Sequence, residues 1–134
     1  MAKIFIGTVL INLLAYIAWF FMPFVSGYLY DYDTLDLLSF GGFGAKVDLD
    51  GPIPYVVGLI YVVTTFGLLL FKPWARIAFS ILAVFTIISP SIWGVSIQGS
   101  YDVMIDSLVL ITDGAIVSMA FFTSISNDFS KGGS

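Results

Sequence analysis

Four apolar runs constrain this chain more than any other feature, at about residues 4–25, 53–71, 74–97 and 103–125. Each is close to the ~20 residues that a helix needs to span hydrocarbon. In lipid the backbone must satisfy its own polar groups, which leaves helices or closed barrels. Barrel strands alternate in and out over roughly ten residues, and these runs do not. The expected fold is therefore an all-α integral membrane protein, a four transmembrane helix bundle forming a single domain over residues 1–134. The turns near Lys72–Pro73 and Gln98–Ser100 are short, so sequential helices should be antiparallel neighbours.

Composition agrees, because only 10% of the residues are charged and 59% are hydrophobic, whereas a soluble domain carries about a quarter charged. Lipid must clothe part of the surface. The nine acids are all Asp and outnumber the five Lys and Arg. Without a basic stripe, nucleic acid is not an expected partner. The absence of Cys and His removes thiolate and imidazole chemistry, including the usual zinc and haem ligation. No nucleophile elbow, phosphate loop or metalloprotease motif occurs. The reading is a non-enzyme with no cofactor and no metal site.

The prolines punctuate the runs. Pro52 and Pro54 open the second and Pro73 the third, where a missing N–H costs nothing. Pro23 is read as closing the first run. Pro90 falls inside the third, so we expect a kink there that frees a carbonyl near Thr86, the alternative being that the helix ends and resumes irregularly through Trp93 and Gly94. The first run is too long for the apolar stretch of a leader peptide and is read as a retained span. Pro23–Gly27 and Pro90–Gly94 share a P-x-x-x-G pattern, best taken as the ordinary frequency of Pro and Gly near membrane helix ends.

Lys3, Lys72, Arg76 and Lys131 fall on one side of the four crossings and Lys46 on the other. The positive-inside rule then makes both termini cytoplasmic, in a plasma or bacterial inner membrane. Trp74 suits the inner interface, while Trp19, Tyr28, Tyr30, Tyr32 and Trp93 suit the outer aromatic belt. The first outer loop, residues 26–51, alternates at Leu35-Asp36-Leu37 and at Val47-Asp48-Leu49-Asp50 around a glycine-rich stretch. A small β-hairpin is one reading of it, and an irregular or partly helical cap is the other. Its acids lack the spacing of an EF-hand loop, so they are read as solvated charge.

Asp113 is the most informative residue. An acid near the middle of a span costs about 2.5–3.5 kcal/mol. The roughly eleven Leu, Ile, Val and Phe of the fourth run return about 3–7 kcal/mol, much of which Asp113 and Asp106 consume. This helix should need a partner. Asp102, Asp106 and Asp113 return to nearly one face at about 100° per residue, and Asn12, Thr64, Thr65, Thr86 and Thr112 lie near the depth of Asp113. The expected midplane polar layer has two readings: a protonated Asp113 hydrogen-bonded to Asn12 or a Thr as interhelical glue, or a proton or cation pathway from the outer face. Gly114 and Ser118 form a small-xxx-small pair suited to close helix packing.

The resulting functional expectation is an accessory, assembly or oligomeric component of a membrane complex, partnered by lipid and by other membrane subunits or copies of itself. The alternative is a small transporter or channel for protons, cations or a small solute, using Asp113 and Asp106.

Overall fold

The computed structural model describes residues 1–40, 44–46 and 51–131. Among these residues the structure is helical, without a strand. The elements are α1 (Ala2–Leu29), α2 (Tyr32–Leu38), α3 (Ile53–Leu69), α4 (Pro73–Ile88), α5 (Pro90–Trp93), α6 (Ser100–Phe122) and α7 (Ile125–Lys131). Of these, α1 with 28 residues and α6 with 23 are long and apolar enough to cross a membrane. The apolar helices α3 and α4 are shorter, at 17 and 16 residues.

The long helices pack antiparallel. Tyr30, just past the end of α1, meets Tyr101 at the start of α6, and Phe20 in α1 meets Tyr55 at the start of α3. At the opposite end Phe5 touches Phe71 and Phe129, and Arg76 of α4 donates to Ser126 Oγ at 3.3 Å. One end of the bundle thus gathers Phe5, Phe71, Arg76 and Phe129, and the other Tyr30, Tyr55 and Tyr101.

The tight link between α3 and α4 has a definite cause. The N–H of Phe71 bonds Leu68 O at 3.0 Å and the N–H of Lys72 bonds Gly67 O at 2.9 Å, the paired closure of a Schellman motif. Phe71 takes the left-handed position, with φ of 53°, which costs a non-glycine residue roughly 1–2 kcal/mol. Its ring offsets that cost by packing on Phe5 and Phe129. Pro73 then occupies the first turn of α4. Gly67 is needed for the approach itself, since an added Cβ would lie 2.7 Å from Ala75 Cβ and 2.9 Å from the Trp74 ring.

Three expectations are corrected. Pro23 does not close the first helix: α1 continues through it to Leu29. The break in the ladder is tolerated within a long apolar helix, as in membrane spans generally, and Ser26 Oγ bonds Pro23 O at 3.0 Å.

The third run is broken rather than kinked. It ends at Ile88, forms the short turn of α5 and becomes extended after Gly94, whose φ of 81° favours glycine. Pro90 cannot donate to Thr86 O, and the Ser89 hydroxyl supplies that bond instead at 3.1 Å.

Leu35-Asp36-Leu37 is helical, part of α2, so of the two readings of this loop its first arm follows the partly helical cap and not the hairpin. The glycine-rich stretch and the second arm at 47–50 lie mostly outside the described residues. The alternation misleads because Asp31 caps a helix over it, accepting from the N–H of Thr34 at 3.1 Å. These bonds from Thr34 hold the Asp31 carboxyl below its usual range. A carboxylate with a lowered folded value stabilises α2 above the ordinary Asp range and loses that contribution as pH falls through the folded value. Amide exchange at Thr34 should accordingly quicken on acidification below about pH 4. An exchange profile that follows only intrinsic chemistry would remove Asp31 as the cap.

The fourth run, expected over 103–125, begins at Ser100 and stops at Phe122. Thr123 is extended, and its hydroxyl accepts from the N–H of Ile125 at 3.3 Å, starting α7. Ile125 and Phe129 are fully buried, so α7 folds back against the Phe5 end of the bundle.

Candidate functional site

The polar layer expected near Asp113 exists and joins three helices. Asn12 (α1), Tyr61 (α3), and Thr112 and Asp113 (α6) are all buried, with Asp113 only 2% exposed. Asn12 Nδ2 donates to Asp113 Oδ1 at 2.8 Å and to Thr112 Oγ1 at 2.7 Å. Thr112 can accept because its own proton goes to the backbone, at Leu108 O, 2.8 Å away. Tyr61 Oη contacts both Asn12 Oδ1 and, at 3.0 Å, Asp113 Oδ1. A phenol has one proton. When it goes to Asn12 Oδ1, the contact with Asp113 is completed only by a proton on the carboxyl itself. With a proton on the carboxyl, Asn12, Tyr61 and Asp113 close a ring in which each group gives and receives one bond. Asp113 Oδ2 is left buried with no partner among the described residues.

Aromatic packing seals this ring. Tyr16 lies one helical turn beyond Asn12 and stacks on Tyr61, with ring centroids 3.8 Å apart and planes 12° apart. Phe79 of α4 packs on another side of Tyr61, its centroid 5.6 Å away. No basic residue takes part. The arrangement can orient and lock three helices, and its internal atoms are closed to solvent.

The other expected members are distributed differently. Thr65 is buried, but its hydroxyl bonds Tyr61 O at 2.8 Å within α3, and Thr64 is buried beside it. Thr86 bonds Leu82 O at 2.9 Å within α4. Neither Thr65 nor Thr86 bridges helices.

The Asp stripe on α6 divides by depth. Asp102 accepts from Tyr30 Oη at 3.0 Å and from the N–H of Gly99 at 3.1 Å, closing the start of α6. Asp106 is half-buried and lines a separate cavity of about 350 Å³ beside Trp19 and Trp93. Asp113 belongs to the ring. Gly114 and Ser118 are exposed, and with Ser80, Ala83 and Asp113 they line a groove of about 330 Å³ between α4 and α6. A Cβ on Gly114 would meet nothing within 4 Å.

Tyr61 and Tyr16 are the members that sequence reasoning missed. Both lie well inside apolar runs rather than at their ends, where interfacial tyrosines are expected, and that placement was the available signal. Among known proteins, no family model, no curated protein and no solved structure matches the chain.

Proposed function

We propose that this chain is a small multi-pass membrane protein that acts by interaction, as an accessory or assembly component holding a partner's transmembrane helix in the α4–α6 groove. Support for the membrane comes from an inverted distribution of side chains. Asn12, Thr64, Thr65 and Asp113 are buried, while Leu14, Leu59, Ile81 and Ile111 are each at least 65% exposed. Exposed apolar surface on this scale needs lipid or protein to cover it. In this reading all four long helices cross the membrane, α3 and α4 where the bilayer is thinnest or by snorkelling of their flanks. The end bearing Phe5, Phe71 and Arg76 carries most of the basic residues and faces the cytoplasm, together with both termini.

The observation that carries the interaction reading is the combination at the groove. Gly114 leaves an open notch, and Ser118, Ala83 and Ser80 keep its walls low. A helix with a small residue at the crossing point fits that shape. Filling the notch with Gly114→Leu should leave thermal unfolding in detergent unchanged, because nothing occupies the space. It should also lower recovery of the crosslinked complex from native membranes more than tenfold. A wild-type chain that remains monomeric and uncrosslinked, or a Gly114→Leu variant that crosslinks as well as wild type, overturns the proposal. A product of two identical chains identifies the partner as a second copy.

The runner-up is transport of protons or cations through Asp106 and Asp113, favoured by the cavity in front of Asp106. Against it stands the sealed ring, below which α6 offers only Gly114 and Ser118 before its last turn. Proton or cation flux in liposomes that Asp113→Asn abolishes would replace the assembly reading.

A further inference from the structure

The cavity at Asp106 adjoins the groove, sharing Ile87 and Leu110 with it, and its lining holds one carboxylate and no cationic side chain. It measures about 350 Å³ and opens between α1, the end of α4 with α5, and α6. Two indoles, Trp19 and Trp93, line it together with the Asp106 carboxyl. Two of its hydroxyls have spent their protons on the backbone: Thr86 donates to Leu82 O at 2.9 Å and Ser89 to Thr86 O at 3.1 Å. Both oxygens keep lone pairs free to accept. Asp106 receives no hydrogen bond from any described residue. Lys46, tethered to the same end by the bond of its amide to Ile92 O at 2.9 Å, is exposed and is not part of the lining.

An anion finds nothing here to neutralise it. A cation finds a carboxylate, hydroxyl oxygens and two indoles, a ring type whose π face attracts ammonium groups. The geometry points to a binding site for a small organic ammonium group, held by Asp106 and enclosed by Trp19 and Trp93. An alkyl chain on the nitrogen has the apolar flanks of Ile87 and Leu110 to lie against. The cation is either a free alkylamine or the amino headgroup of a lipid at the membrane surface. Occupancy of this site does not depend on the assembly reading, since Asp106, Trp19 and Trp93, which hold the cation, do not line the α4–α6 groove.

The three tryptophans provide the test, because Trp74 packs against Gly67 at the other end of the bundle. Indole N–H resonances of the protein in uncharged detergent are followed during titration with n-butylammonium, with 1-butanol as the neutral match, and with a short-chain phosphatidylethanolamine. Saturable shifts of Trp19 and Trp93, with Trp74 unmoved and 1-butanol inert, are expected. Asp106→Asn should weaken the amine at least tenfold. Tighter binding of the lipid than of the free amine identifies a headgroup, and the reverse a soluble ligand. The site is refuted if neither amine saturates, if Trp74 shifts equally, if 1-butanol reproduces the response, or if folded Asp106→Asn binds within twofold of wild type.

Discussion

Phe5→Ala is expected to destabilise the fold by about 3–5 kcal/mol, the usual cost of truncating a fully buried Phe. Phe5 is 0% exposed and forms the point where three separate pieces of chain meet. Its ring lies 5.7 Å from that of Phe71, at the turn after α3, and 5.7 Å from that of Phe129 in α7. Phe71 and Phe129 also touch, at 5.4 Å. Removing the central ring leaves a cavity bordered by a strained turn and by a short helix with little else to hold it.

The loss should therefore be larger than hydrophobic transfer alone. Phe71 keeps its left-handed backbone partly through ring packing, and the apolar docking of α7 comes from Ile125 and Phe129, its buried residues. The cation–π contact of Arg76 with Phe129, at 5.8 Å, weakens as well. Leu14→Ala on the same helix, where the side chain is 68% exposed, is the matched control and should change stability by less than about 0.5 kcal/mol. Equilibrium unfolding in mixed micelles measures both. A Phe5→Ala loss below 1 kcal/mol would mean that the three rings do not form one packing unit.

Much of this architecture was legible because long apolar helices have few alternatives. Pro54 and Pro73 do sit in first helical turns, and the depth of Asn12 and Asp113 along their runs was enough to pair them. Depth is a one-dimensional coordinate that hydropathy supplies directly. What depth cannot supply is rotation about each helix axis and the choice among local backbone closures. Thr65 and Thr86 are near the depth of Asp113 yet bond within their own helices, because a hydroxyl one turn from a carbonyl satisfies itself without a neighbour.

Tyr61 fills the place assigned to them, since a phenol reaches farther than a threonine hydroxyl. At Pro90 the helix ends and the Ser89 hydroxyl takes over Thr86 O. At Pro23 the helix continued despite the same loss of a donor. Similarly, Asp31 turned the alternating Leu35-Asp36-Leu37 into a helix, a local capping effect that a period-two pattern hides.

The interhelical ring sets an order among three substitutions that separates a structural carboxyl from a functional one. Asn12→Leu deletes the group that touches every other member: it donates to Thr112 and Asp113 and accepts from Tyr61. At an average of about 0.6 kcal/mol for each interhelical hydrogen bond in a membrane protein, three lost bonds cost about 2 kcal/mol. Asp113→Leu loses less, about 1 kcal/mol, because Tyr61 retains Asn12 Oδ1 and Asn12 retains Thr112. Asp113→Asn should cost about 0.6 kcal/mol, since both contacts fall on Oδ1, where an amide oxygen still accepts from Asn12 but cannot donate to Tyr61. The order is measured by unfolding in mixed micelles at neutral pH, with partner crosslinking assayed in parallel. If Asp113→Asn proves as damaging as Asn12→Leu, the carboxyl does something that an amide of the same shape cannot. A titrating role in ion movement would then displace the structural one.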